Sequence, residues 1–144
     1  MMEFNAALDI DPVVLRDRAL EESKQIYSTE STRRGRSLEE IMVSSMYGLA
    51  AEVYLLQEGY VDDDRPYKDL FEPVSMGSSP IEVKVTAGTY YVPYVINRAE
   101  KCASESWRDY PEKLYIFIGD KETLNYYLEG IYNWDGLHFV KDVV

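Results

Sequence analysis

The sequence predicts an α/β fold: one domain over residues 1–144, with a central mixed β-sheet flanked by helices. Three observations carry that reading. Two amphipathic helices with capping signals open the chain. An alternating strand and a strand of buried type lie in its second half, and a further helix separates them. At 144 residues the chain can bury one core and is short for two domains of typical size.

Asp11-Pro12 reads as an N-cap followed by Pro at the first helical position, opening a helix to about Ile26. "YSTESTRRGRS" (Tyr27–Ser37) then breaks the pattern and reads as a mobile basic loop. Ser37 and Glu40 have capping-box spacing for a second helix to about Gln57, ended by Gly59. Met42, Met46, Leu49, Val53 and Leu56 form one apolar stripe on it. Glu52 falls about 80° from the centre of that stripe at 100° per residue, on its border. Ile41, Ser45 and Gly48 share that flank, and the two small ones would let a ligand approach the carboxylate closely.

"YVDDDRPYKDLFEPV", "IEVKV" and "TYYVPYV" together suggest a hairpin-rich antiparallel stretch. Asn97 and Glu100 again have capping-box spacing and predict a helix through about Trp107. "KLYIFIG" reads as a buried strand, and "LNYYLEGIYNW" as one or two strands near the sheet edge. The apolar face of Tyr126–Trp134 then suggests a homodimer surface.

Composition excludes several classes of function. No apolar run approaches 18 residues, so no membrane span is expected. The acidic "MMEFNAALDIDP" start lacks a basic n-region, and the lone Cys102 excludes an internal disulfide framework; a cytoplasmic setting is expected. One His and one Cys exclude a zinc site of the usual ligands within one chain. Asp62–Glu72 fails as a calcium loop, because Pro66 and Tyr67 occupy its fifth and sixth positions and Pro73 its twelfth. A net charge of −11 is unusual for a nucleic-acid binder, which must then concentrate its cations locally or bridge to phosphate through metal ions.

The residues that carry chemistry are spread over several elements. On the strand "IEVKV", period 2 sends Glu82 and Lys84 to one face and Ile81, Val83 and Val85 to the other. The other acid-x-Lys triplet, Glu22-Ser23-Lys24, sits on a helix. Asp69 stands on what reads as the preceding strand, and Glu52 on the helix before that. In this order the chain resembles the PD-(D/E)XK nuclease superfamily over about residues 38–119, with Lys68 where the pattern often has proline. The resemblance implies a restriction-endonuclease-like αβββαβ core and a divalent-metal-dependent nuclease acting on DNA, most simply as an endonuclease from a bacterium or phage. It implies Mg²⁺, with Mn²⁺ as substitute and no organic cofactor. The ion would be held by Asp69, Glu82 and the backbone carbonyl of Val83, while Glu52 would bind through water or hold a second ion. Catalysis would rest on Glu52, Asp69, Glu82 and Lys84, the lysine orienting the attacking water and offsetting phosphate charge.

For DNA contacts, Arg33, Arg34 and Arg36 in the basic segment and Arg98, Lys101 and Arg108 near the third helix are the candidate cations. Tyr90, Tyr91 and Tyr94 follow the Glu82–Lys84 strand and could stack on bases. Two other readings compete. Glu82 and Lys84 alone could be a surface ion pair of little consequence. The acidic charge could instead mark a non-enzymatic protein that imitates DNA and inhibits a DNA-binding enzyme.

Overall fold

The computed structural model describes residues 2–60, 81–105 and 113–143. Asp62–Asp64, Asp69 and Arg108, with the strand predicted around Asp69, lie outside the described residues. Among the described residues, five strands and four helices follow one another: β1 (Glu3–Asn5), α1 (Pro12–Tyr27), α2 (Glu30–Arg33), α3 (Leu38–Gln57), β2 (Ile81–Thr86), α4 (Val92–Glu105), β3 (Lys113–Gly119), β4 (Asn125–Trp134) and β5 (Phe139–Val143). A single 3₁₀ turn, Thr89–Tyr91, precedes α4.

Both N-terminal helices begin where their caps predict. The Asp11 carboxylate accepts from Val13 N–H at 2.9 Å, with Pro12 at N1. Ser37 and Glu40 close a reciprocal box: Glu40 N–H donates to Ser37 Oγ at 3.1 Å, and Ser37 N–H donates to Glu40 Oε1 at 3.2 Å. These bonds satisfy backbone donors that an α-helix leaves orphaned at its start.

The strands form one mixed sheet in the order β1-β4-β3-β2, with β5 also on β4. β2 and β3 are parallel and joined through α4, whereas β3, β1 and β5 each run antiparallel to β4. One core lies under α1 and α3, where Leu15, Ala19, Leu49 and Val53 meet Phe4, Val83, Phe117 and Leu128. A second lies under α4, where Val92 and Ala99 meet Leu114, Ile116, Ile118, Tyr132 and Phe139. The register of β4 changes within the strand: Phe117 faces Leu128 but Ile116 faces Gly130, so Glu129 is an extra residue. This bulge sends Tyr126 and Leu128 to the first core and Tyr132 to the second, although all three have the same parity.

Four expectations are corrected. Val92–Val95 is helical, and β2 pairs in parallel with β3 rather than in a hairpin with "TYYVPYV". Pro93 suits the first turn of a helix and would break a sheet ladder, and Val92, Val95, Ile96, Ala99 and Ala103 keep helical spacing against the second core. Asn97 is therefore interior to α4, and Glu100 accepts from Phe139 N–H at 2.8 Å instead of capping a helix. Tyr27–Ser37 is not simply a loop, since Glu30–Arg33 makes a short helix. β4 is not an edge: β3 takes one side and β1 and β5 share the other, so Tyr126–Trp134 offers no free strand edge.

Candidate active site

The buried face of α3 is broader than the predicted stripe, because α1 packs on one side of the helix and the sheet on the other. Ile41, Ser45, Glu52 and Leu55 are buried, while Met42, Met46 and Leu56 are only partly so. Glu52 thus sits well inside, at 9% exposure. Glu82 on β2 is 5% exposed. Removing an uncompensated carboxylate from water costs several kcal/mol, so a carboxylate at this depth must be partnered. Neither of these is without a partner, and the same holds for Lys84. The solvent-exposed ion pair expected on a bland reading does not describe Glu82.

These three residues line one cleft of about 200 Å³. Its α3 wall is built from Ser44, Ser45, Gly48 and Leu49 above Glu52. A Cβ at Gly48 would meet nothing within 4 Å, so the wall is recessed there, as the small residues predict. The floor follows β2 from Glu82 to Val85. Glu82 and Lys84 pair with Leu114 and Ile116, whose side chains face α4, whereas Val83 and Val85 pair with Tyr115 and Phe117 on the α3 side. Residues of both parities on β2 line the cleft.

Sequence reading passed over one lining residue. Glu22, half-buried on α1, faces the same cleft beside Ile26. The signal was present: Leu15, Ala19, Glu22 and Ile26 stand at i, i+4, i+7 and i+11, which puts a carboxylate on the apolar stripe of α1. Among the described residues, no group of three or more His, Cys, Asp or Glu could hold a metal ion. What the described part of the cleft supplies is carboxylate oxygen from Glu22, Glu52 and Glu82, a neighbouring ammonium, and backbone including that of Val83. Hard oxygen donors of this kind suit Mg²⁺ or Mn²⁺, and Mg²⁺ usually needs only one or two carboxylates beside substrate phosphate and water.

The candidate DNA-contacting cations divide into two groups. In the first, Arg33 is held by Glu30, with Nε donating to Oε2 at 3.0 Å, and its guanidinium lies 4.8 Å from the centroid of the Tyr27 ring. The hydrogen bond from Arg33 holds the Glu30 carboxyl below its ordinary range. Arg36 donates to the carbonyls of Arg33 and Thr32 at 3.0 and 2.9 Å. Arg34 is exposed, in the left-handed region at φ 55°, beside Gly35 at φ 71°. Two of these three arginines thus shape the short α2 turn. In the second group, Arg98 and Lys101 are exposed on α4, as is Tyr90 before it.

No helix among the described residues is long and apolar enough to cross a membrane. Compared with known proteins, the chain matches no family model, no curated protein and no solved structure.

Proposed function

We propose that this chain is a divalent-metal-dependent nuclease that hydrolyses phosphodiester bonds of DNA, with a core of restriction-endonuclease-like type. The observation that carries the reading is the meeting of Glu52, Glu82 and Lys84, from a helix and a strand, around one cleft. The parallel β2–α4–β3 unit supports it too, since it follows the strand–helix–strand order of the PD-(D/E)XK pattern. Glu82, the Val83 carbonyl and Asp69 would hold Mg²⁺, with Glu52 beside them. When bound, the ion would supply Lewis-acid polarisation of the phosphate and favour ionisation of water. Lys84 would donate a hydrogen bond from Nζ to the attacking water or a phosphate oxygen and offset charge that builds up there. Water adds its oxygen to phosphorus, the P–O bond to the leaving strand breaks, and that oxygen takes up a proton.

The alternative, an acidic protein that imitates DNA, rests on the net charge of −11. A mimic displays its carboxylates to a partner, whereas Glu52 and Glu82 are turned inward. Supercoiled plasmid incubated with Mn²⁺ or Mg²⁺ separates the two. The nuclease should relax or linearise it, and Lys84→Ala should lose at least a hundredfold in rate while calorimetric Mn²⁺ affinity changes little. Glu82→Gln should lose both. Wild-type protein that leaves plasmid intact, or Lys84→Ala cutting at the wild-type rate, would defeat the proposal.

A further inference from the structure

We infer that the start of α4 is a stacking platform for unpaired nucleobases, so that the substrate of the proposed nuclease is DNA with single-stranded character next to the scissile bond. This rests on the nuclease reading for its biological sense but on separate residues for its evidence. Tyr90, Tyr91 and Tyr94 are 72%, 50% and 62% exposed. Their rings touch one another rather than the core: Tyr90 meets Tyr91 edge-on at 5.3 Å between centroids, and Tyr94 at 5.9 Å with a 47° tilt. Tyr90 with a ring packed against it on each side, all three left in water, forms an apolar patch of the kind that marks a binding surface, unlike singly scattered exposed side chains.

The neighbouring charge points to the occupant. At 100° per residue, Tyr94, Arg98 and Lys101 on α4 fall within about 60° of one another, on a face turned away from Val92 and Ala99. Arg98 and Lys101 are exposed, and Arg98 has a partner of its own; Glu100 is half-buried and engaged by His138 and the Phe139 amide. In a chain of net charge −11, this stripe therefore presents aromatic faces followed by two cations. That combination matches a single strand, whose bases stack on aromatic rings while its phosphates pair with cations; a paired duplex hides its base faces. Tyr90 follows Lys84 by six residues, which puts its backbone within about 22 Å of that cleft residue.

The test is fluorescence anisotropy in EDTA, where cleavage cannot proceed. It compares a labelled single-stranded oligonucleotide with the same sequence as a blunt duplex. Wild-type protein should prefer the single strand, and Tyr90→Ala/Tyr94→Ala should weaken that binding at least tenfold with little change for the duplex. Tyr90→Phe/Tyr94→Phe should retain the wild-type preference, because stacking needs the ring and not the hydroxyl. Unchanged single-strand affinity in the alanine variant, an equal loss for both substrates, or no wild-type preference would overturn the platform. So would a change of sedimentation from dimer to monomer in the alanine variant without loss of single-strand binding, which would make the patch a self-association surface. Each of these results leaves plasmid cleavage by wild-type protein, and hence the nuclease reading, to be judged on its own.

Discussion

At the scale of single residues, burial decides what each carboxylate can do. Glu52 and Glu82 are turned inward at the cleft, where desolvation makes a nearby cation valuable. Asp120 is the opposite case. It sits in the exposed turn between β3 and β4 and accepts from Glu122 and Thr123 N–H at 2.8 and 3.1 Å. The amide of Thr123, then that of Glu122, holds its carboxyl below the ordinary range. A depressed folded value means that the ionised form contributes stability above the unfolded pKa, near 4, and that the contribution disappears as pH falls through the folded value. Asp120→Asn keeps an acceptor oxygen but removes the charge. Wild type should therefore melt slightly above the variant at pH 7, and the difference should close below about pH 4. A gap that persists unchanged at pH 2.5 would show that the charge is not its source.

At the scale of elements, a pair of tyrosine bonds ties α3 to the sheet beside their shared core. Tyr47 Oη donates to the Gly119 carbonyl at 2.8 Å, and Tyr126 Oη donates to the Tyr47 carbonyl at 2.9 Å. Burial raises the pKa of the Tyr126 hydroxyl, which therefore remains a donor at any physiological pH. Its ring also stacks on Phe4 at 4.8 Å. Gly119 is required by close approach: a Cβ there would lie 2.6 Å from Cε2 of Tyr126. Gly119→Ala must push that ring off its stack and strain both bonds, and overpacking of this kind costs about 1–3 kcal/mol. Urea unfolding should show that loss, while Gly48→Ala, whose Cβ meets open space, should not. Equal stability of the two variants would mean that the Tyr126 ring moves aside freely.

For the whole molecule, a charge of −11 opposes compaction and repels DNA phosphate alike. A divalent ion held at the cleft would relieve both effects. An ion that binds only the folded state stabilises it by about 2.7 kcal/mol at a hundred times its dissociation constant. For a domain of this size that corresponds to a rise of roughly 5–10 °C in melting temperature. Mn²⁺ should produce such a shift by calorimetry, NaCl at matched ionic strength should not, and Glu82→Gln should lose most of it. An equal shift in wild type and Glu82→Gln would mean that the ions act by screening the surface.

Much of the architecture is local and was legible in the sequence. Caps announce themselves because Asp11 and Ser37–Glu40 bond to backbone within four residues, and β3 shows as an unbroken apolar run because helices cover both faces of the sheet. Period 2 likewise separated Glu82 and Lys84 from Val83 and Val85. Three features needed the tertiary structure. The parallel pairing of β2 with β3 depends on α4 crossing between them, and an antiparallel hairpin reading spends the same residues on strands. The central place of β4 depends on β1, which arrives from the other end of the chain, and its change of face depends on one extra residue, Glu129. Glu22 and Glu52 enter the cleft because α1 packs on α3 and closes a flank that each helix alone would leave to solvent. Short-range bonds are written in the spacing of residues; burial is a property of what packs against them.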